Sequence, residues 1–148
     1  MGKEKIKIKW VNNGKDIPLK AREKANVYKL SDLAGLCDFD TSTLYLVRGL
    51  AGKWVEHHEM YHYTKRHPTK PRNPKHFALH ELEANMYAYK KTGQPAHILM
   101  HLKGVWQDLA FNTYKLGERK AKVLIGQALR EVKAPQSWME DYKKLLQW

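Results

Sequence analysis

The residues best suited to chemistry in this sequence are His58-Glu59-Met60-Tyr61-His62. On a helix, positions i and i+4 lie on one face about one turn apart, so the two imidazoles can reach one Zn2+ at roughly 2.0–2.1 Å. Glu59 follows the first histidine directly. Its carboxylate can approach a water beside the metal without being a ligand, which is where a general base is needed. The chain has 8 histidines and 9 glutamates in 148 residues. A shuffled chain of that composition would contain the pattern about 0.03 times, so composition alone does not account for it.

A catalytic zinc site takes a third protein ligand and leaves a fourth position open. The segment His80-Glu81-Leu82-Glu83-Ala84-Asn85-Met86-Tyr87-Ala88 offers two carboxylates. Glu81 shares its helix face with Ala84, Asn85 and Ala88, whose small side chains favour close packing. Asn85 can hold the second ring nitrogen of a ligand histidine. Glu83 points roughly 200° away, with Met86, Tyr87 and Lys90. Glu81 is therefore the preferred third ligand and Glu83 the alternative. With such a site, Glu59 would take the proton of the attacking water and deliver it to the leaving amine. A further donor must stabilise the oxyanion. The candidates are Tyr61, Tyr63, Tyr87, Tyr89, His80, His97 and His101, with His101 and Tyr87 taken forward.

HEMYH followed by ELEANMYAY resembles metallopeptidases of the gluzincin type, and in particular the ImmA/IrrE-type family, where HExxH is followed by a helix of the form ExEANxFA. The resemblance covers Trp54 to Lys91. It implies zinc ligands at His58, His62 and Glu81, a general base at Glu59 and the family asparagine at Asn85. Tyr87 stands where the family has phenylalanine, and Tyr61 where it commonly has glycine. The resemblance further implies a zincin-like fold, with Thr43 to Val47 as the strand that binds substrate in extended form. It also implies a protein or peptide substrate, for which a transcriptional repressor is one option.

These residues must be positioned by the elements around them. Ile6, Ile8 and Trp10 alternate with lysines, the period of a half-buried strand. Asn12-Asn13-Gly14 signals a turn, and Ile17 to Ala21 is expected to return as an edge strand because of Pro18. Lys29 to Asp40 reads mostly as loop with a helical turn. Thr43 to Val47 is a compact apolar run and reads as a strand. Helices are expected over Gly52 to Arg66, from an Asn73 cap and Pro74 to about Lys91 with Gly93 beyond, from Gln94-Pro95 to about Tyr114, and over Glu118 to Val132. Ser137-x-x-Glu140 reads as a capping box for a short last helix. The expectation is one α+β, zincin-like domain over 1–148. A small antiparallel or mixed sheet in 1–50 would precede an active-site helix, a glutamate-bearing helix and about three more.

Composition bounds the remaining readings. The net charge of +12 leaves room for an alternative function, a basic protein that binds nucleic acid or a regulator on the same fold without proteolysis. The cationic residues are scattered, however, and no nucleic-acid-binding motif accompanies them. Cys37 is the one cysteine. With no secretory signal and no apolar run of spanning length, this points to a cytoplasmic protein with no membrane partner. His76/His80 and His97/His101 are also i, i+4 pairs, but neither encloses a glutamate, so both read as hydrogen-bonded or exposed pairs. Trp54 shares the His58 face and is expected to pack beneath the site. The apolar ending Leu145-Leu146-Gln147-Trp148 is expected to pack on the body rather than block the cleft.

Overall fold

The computed structural model describes residues 6–24, 34–49, 52–65, 67, 71–93 and 98–148. It is an α+β chain with a three-stranded mixed sheet and six helices among the described residues. The chain divides into two compact units, Met1–Thr69 and Lys70–Trp148.

The first unit is built on strands β1 (Lys7–Val11), β2 (Gly35–Asp38) and β3 (Thr43–Val47) with helices α1 (Leu19–Lys24) and α2 (Lys53–Lys65). β3 is the central strand, parallel to β1 and antiparallel to β2. All five of its residues are buried, as expected of a continuous apolar run with neighbours on both sides. Its position corrects the expectation that Thr43 to Val47 binds substrate. Both hydrogen-bonding edges of β3 are already occupied, so an extended peptide has no place on it.

The register separates two faces. Val11, Leu36, Tyr45 and Val47 form one face and pack with Ile17 and Ala21 in a buried cluster. Gly35, Cys37, Leu44 and Leu46, with Ile8 and Trp10, form the other. On that side α2 packs mainly over β2 and β3.

Two further expectations are corrected here. Ile17 to Ala21 is not a returning strand. Pro18 lies just before α1 and its carbonyl accepts the Arg22 N–H at 3.1 Å. Ile17 and Ala21 are buried while Leu19 between them is exposed, which fits the turn of a helix and not a strand, where all three would share one face. Within Lys29 to Asp40, residues 29–33 lie outside the described part, and 35–38 form β2 rather than loop. Four residues carry too short a pattern to reveal a strand that exists by pairing with β3.

The second unit holds α3 (Pro74–Thr92), α4 (Leu99–Gln107), α5 (Glu118–Glu131) and α6 (Gln136–Leu146). α3 follows the sequence signals closely. Asn73 accepts the Lys75 N–H at 2.9 Å, Pro74 opens the helix, and Gly93 closes it at φ 71°. Its buried face is Ala78, Leu82, Ala84, Asn85 and Ala88, and α3 packs on α5. The helix expected from Gln94-Pro95 is described from Leu99, since residues 94–97 lie outside the described part. It widens into a π-helical segment at Asp108–Asn112 and reaches Gly117 at φ 90°. Ile98, at the start of α4, has no side-chain cap of its own. Buried Asp141 on α6 instead accepts its N–H at 3.0 Å, supplying a carboxylate to a helix N-terminus.

The capping box is corrected as well. Pro135 occupies the cap of α6, Ser137 lies within the helix, and the Pro135 carbonyl takes the first N–H bond, from Trp138 at 3.0 Å. Fully buried Trp138 and Leu145 fix α6 in the core of this unit, but Leu146, Gln147 and Trp148 are exposed, so of the apolar ending expected to pack on the body only Leu145 is buried. No described helix is long and apolar enough to cross a membrane.

Candidate metal centre

Helix α2 carries two side-chain stripes with different tasks. Val55, Glu59 and Tyr63, each four apart, lie toward the sheet. A Cβ built on Gly35 would meet Val55 Cγ1 at 3.1 Å, Leu46 Cδ2 at 3.3 Å and Glu59 Cγ at 3.4 Å. Tyr63 stacks on Phe39 with ring centroids 6.0 Å apart. Gly35 thus lets α2 settle close to β2, with the stem of Glu59 against the strand.

The neighbouring stripe is a column of rings. Trp54 stacks on His58 at 5.9 Å, as the sequence suggested, and His58 meets His62 edge-on at 4.8 Å. His58 is buried and His62 half-buried. Their Nε2 atoms are 3.2 Å apart. Two nitrogens bound to one tetrahedral zinc at roughly 2.05 Å each would be separated by about 3.3 Å. The pair therefore already has the spacing that a shared metal requires, and imidazole nitrogens are the right donor type.

Glu59 lies close enough to Cys37 to affect its chemistry. Burial first, and then the carboxylates of Glu59 and Asp38, push the Cys37 thiol up to about 12. Such a thiol stays protonated and unreactive, in keeping with a packing role.

In the second unit, α3 presents Glu81 to α4, where Glu81 Oε2 lies 3.5 Å from His101 Nε2. The structure thus brings together the preferred third ligand and one of the two oxyanion candidates. Asn85 is fully buried, the one amide on a stripe of alanine and leucine. Tyr87 lies six positions beyond Glu81, roughly 240° around the helix, and its ring takes the Lys91 ammonium at 5.5 Å. It does not stand with Glu81 and His101. His76 and His80 stack at 6.1 Å on α3. His97 lies outside the described residues.

Two residues that the sequence did not single out stand beside these groups, one in each unit. Asp108 begins the π-helical segment after α4. Burial is the main cause that raises its carboxyl above the usual range; the Asn112 hydrogen bond opposes this, the Glu81 charge adds to it and His101 opposes it. An acid between Trp106-Gln107 and Leu109-Ala110 was a visible signal, because a charge in an apolar stretch needs a reason. The other is His67, whose Nδ1 lies 3.0 Å from His62 Nδ1. No sequence signal pointed to it, because a spacing of five matches no helix face and Pro68 follows. No family model, curated protein or solved structure matches this chain.

Proposed function

We propose that the protein is a zinc-dependent peptidase in which His58, His62 and Glu81 hold the metal and Glu59 is the general base. One observation carries the reading, the 3.2 Å separation of the His58 and His62 Nε2 atoms on a helix where a glutamate sits between them. The gluzincin and ImmA/IrrE resemblance of the motif residues supports the same assignment. Zinc, when bound, supplies an electrophile that polarises the scissile carbonyl and makes a water acidic enough to ionise near neutral pH.

The chain's own groups do the rest. Glu59 takes the proton of the attacking water and returns it to the departing amine. Its stem, seated on Gly35, restricts where the carboxylate can go. Glu81 is favoured over Glu83 by its pairing with His101 at 3.5 Å and by Asn85 on its own face. His101 is favoured over Tyr87 as the oxyanion donor for the same pairing. An extended substrate would add to β2, an outer strand of the sheet among the described residues and the one that carries Glu59 above it. By the resemblance, a transcriptional repressor is the substrate class to try first, and the setting is cytoplasmic.

The test is zinc content by elemental analysis together with a peptide-library cleavage assay. The expected result is one zinc per chain, retained in Glu59→Ala, with cleavage reduced by about 10²–10⁴-fold. Cleavage unchanged in Glu59→Ala overturns the mechanism, and loss of neither zinc nor cleavage in His58→Ala overturns the site.

A further inference from the structure

The column of rings does not stop at the motif. His67 lies beyond the last turn of α2, and contacts among the described residues hold it there. Its N–H donates to the His62 carbonyl, five residues earlier in the sequence, at 3.1 Å. Its Nδ1 meets His62 Nδ1 at 3.0 Å. Its ring packs on Tyr61 at 5.4 Å, and the Lys65 ammonium lies 5.8 Å from the centre of the Tyr61 ring. Tyr61, the departure from the glycine common in the resembled family, has a physical use here as the wall behind His67.

The two nitrogens of one imidazole point in divergent directions. His62 turns Nε2 toward His58 and Nδ1 toward His67, so His67 is not placed to share a metal held between the Nε2 atoms of His58 and His62. What it can do is fix the other end of the ring. We infer that His67 is a positioning residue that accepts the Nδ1–H of His62, thereby holding His62 in the tautomer whose Nε2 lone pair is available to a metal. The tautomers balance. His62 carries its single proton on Nδ1, and His67 accepts with Nδ1 and carries its own proton on Nε2. A ligand histidine left without such a partner is free to rotate and to place its proton on the nitrogen the metal needs. This inference rests on the zinc reading for its purpose, but the hydrogen bond itself can be tested without metal.

Two variants separate the acceptor from the bulk. His67→Phe keeps a ring against Tyr61 and removes the acceptor. His67→Asn loses the ring but places an amide oxygen where Nδ1 was. Zinc affinity is measured by chelator competition at a pH of about 8.5, where ordinary imidazoles are neutral. His67→Phe should weaken binding by about 10–100-fold, and His67→Asn should stay within about threefold of the parent because the hydrogen bond survives. In the metal-free protein, ring 15N shifts should report His62 as the Nδ1–H tautomer in the parent and in His67→Asn, and a displacement toward Nε2–H in His67→Phe. Unchanged affinity and shifts in His67→Phe overturn the inference. So does His67→Asn behaving like His67→Phe, since packing alone would then be the cause. A parent protein that binds no zinc overturns the peptidase reading, and the metal-free shifts still decide whether His67 sets the His62 tautomer.

Discussion

Replacing Gly35 tests the seat on which the proposed base rests. A Cβ there would lie 3.1 Å from Val55 Cγ1, 3.3 Å from Leu46 Cδ2 and 3.4 Å from Glu59 Cγ, inside the ~3.5–4.0 Å at which carbons pack best. Alanine overlaps by a few tenths of an ångström against side chains that can yield. Relieving the entropic cost of a strand glycine returns roughly 0.5–1 kcal/mol. Gly35→Ala should therefore be close to neutral. Gly35→Val adds two methyls to the same crowded space, and overpacking of that kind costs about 1–3 kcal/mol. At roughly 2.1 cal/mol/K per residue, the unfolding entropy of this chain is about 0.3 kcal/mol/K, so the midpoint should fall by about 3–10 °C. The double variant Gly35→Val/Val55→Ala should recover at least about 0.5 kcal/mol relative to additivity, because the two sites touch. Thermal unfolding of the parent, Gly35→Ala, Gly35→Val, Val55→Ala and the double variant provides the measurement. Cleavage should fall in Gly35→Val more than zinc affinity does, because Glu59 rather than the histidine stripe bears on the strand. Additive changes, or a neutral Gly35→Val, would refute the close seating of α2 on β2.

Glu81→Gln should weaken zinc binding at least tenfold more than Glu83→Gln, read by the same chelator competition; the reverse order would put the wrong face of α3 at the metal. Cys37 titrates at about 12 instead of 9.0, so at pH 8 its thiolate, and its rate of alkylation in the folded protein, should be about a thousandfold below that of an ordinary thiol. Because the folded-state value is the raised one, the stability associated with Cys37 is fully present below pH 9 and is lost as the pH rises toward 12. Cys37→Ala should flatten the denaturation profile in that window, and an unchanged alkaline slope would contradict the assignment. The Asp108 carboxyl is raised chiefly by burial, so its ionised form is the costly one. Asp108→Asn, measured with chelator present, should raise the midpoint at pH 7 and lose that gain near pH 3, where the parent is already neutral.

What could be read in the sequence was what local chemistry determines. The Asn73 cap, Pro74 and Gly93 mark the ends of α3 through the chain's own geometry, and the run Thr43 to Val47 could hardly be anything but a buried strand. The motif histidines needed only a helix to meet. Pairing and distant partners left weaker marks. β2 is four residues whose identity as a strand comes from β3, and Ile17 to Ala21, which runs into α1, reads as a strand because Pro18 is an edge signal as easily as a helix start. Ser137 and Glu140 have the right spacing for a capping box, but Pro135 already accepts the first N–H bond. The π-helical segment Asp108–Asn112 lengthens a helix that propensity alone would end or continue. His67 meets His62 at a spacing of five, which no helical periodicity announces.

The parallel pairing of β1 with β3 has a consequence for how this sheet is made and unmade. β2 and β3 are joined by the four residues 39–42 and can zip together as a hairpin on the microsecond scale. β1 ends at Val11 and must find β3 across the intervening 12–42, a closure whose entropy is spent before any ladder bond forms. Four of its five residues are exposed, so little apolar burial holds it afterwards. In hydrogen exchange the β1 amides should open well before those of the hairpin. The N-terminal strand is then the last piece to dock and the first to leave, and an extension or deletion at that end of the chain should be felt in the sheet before it is felt in the helix that carries the histidines.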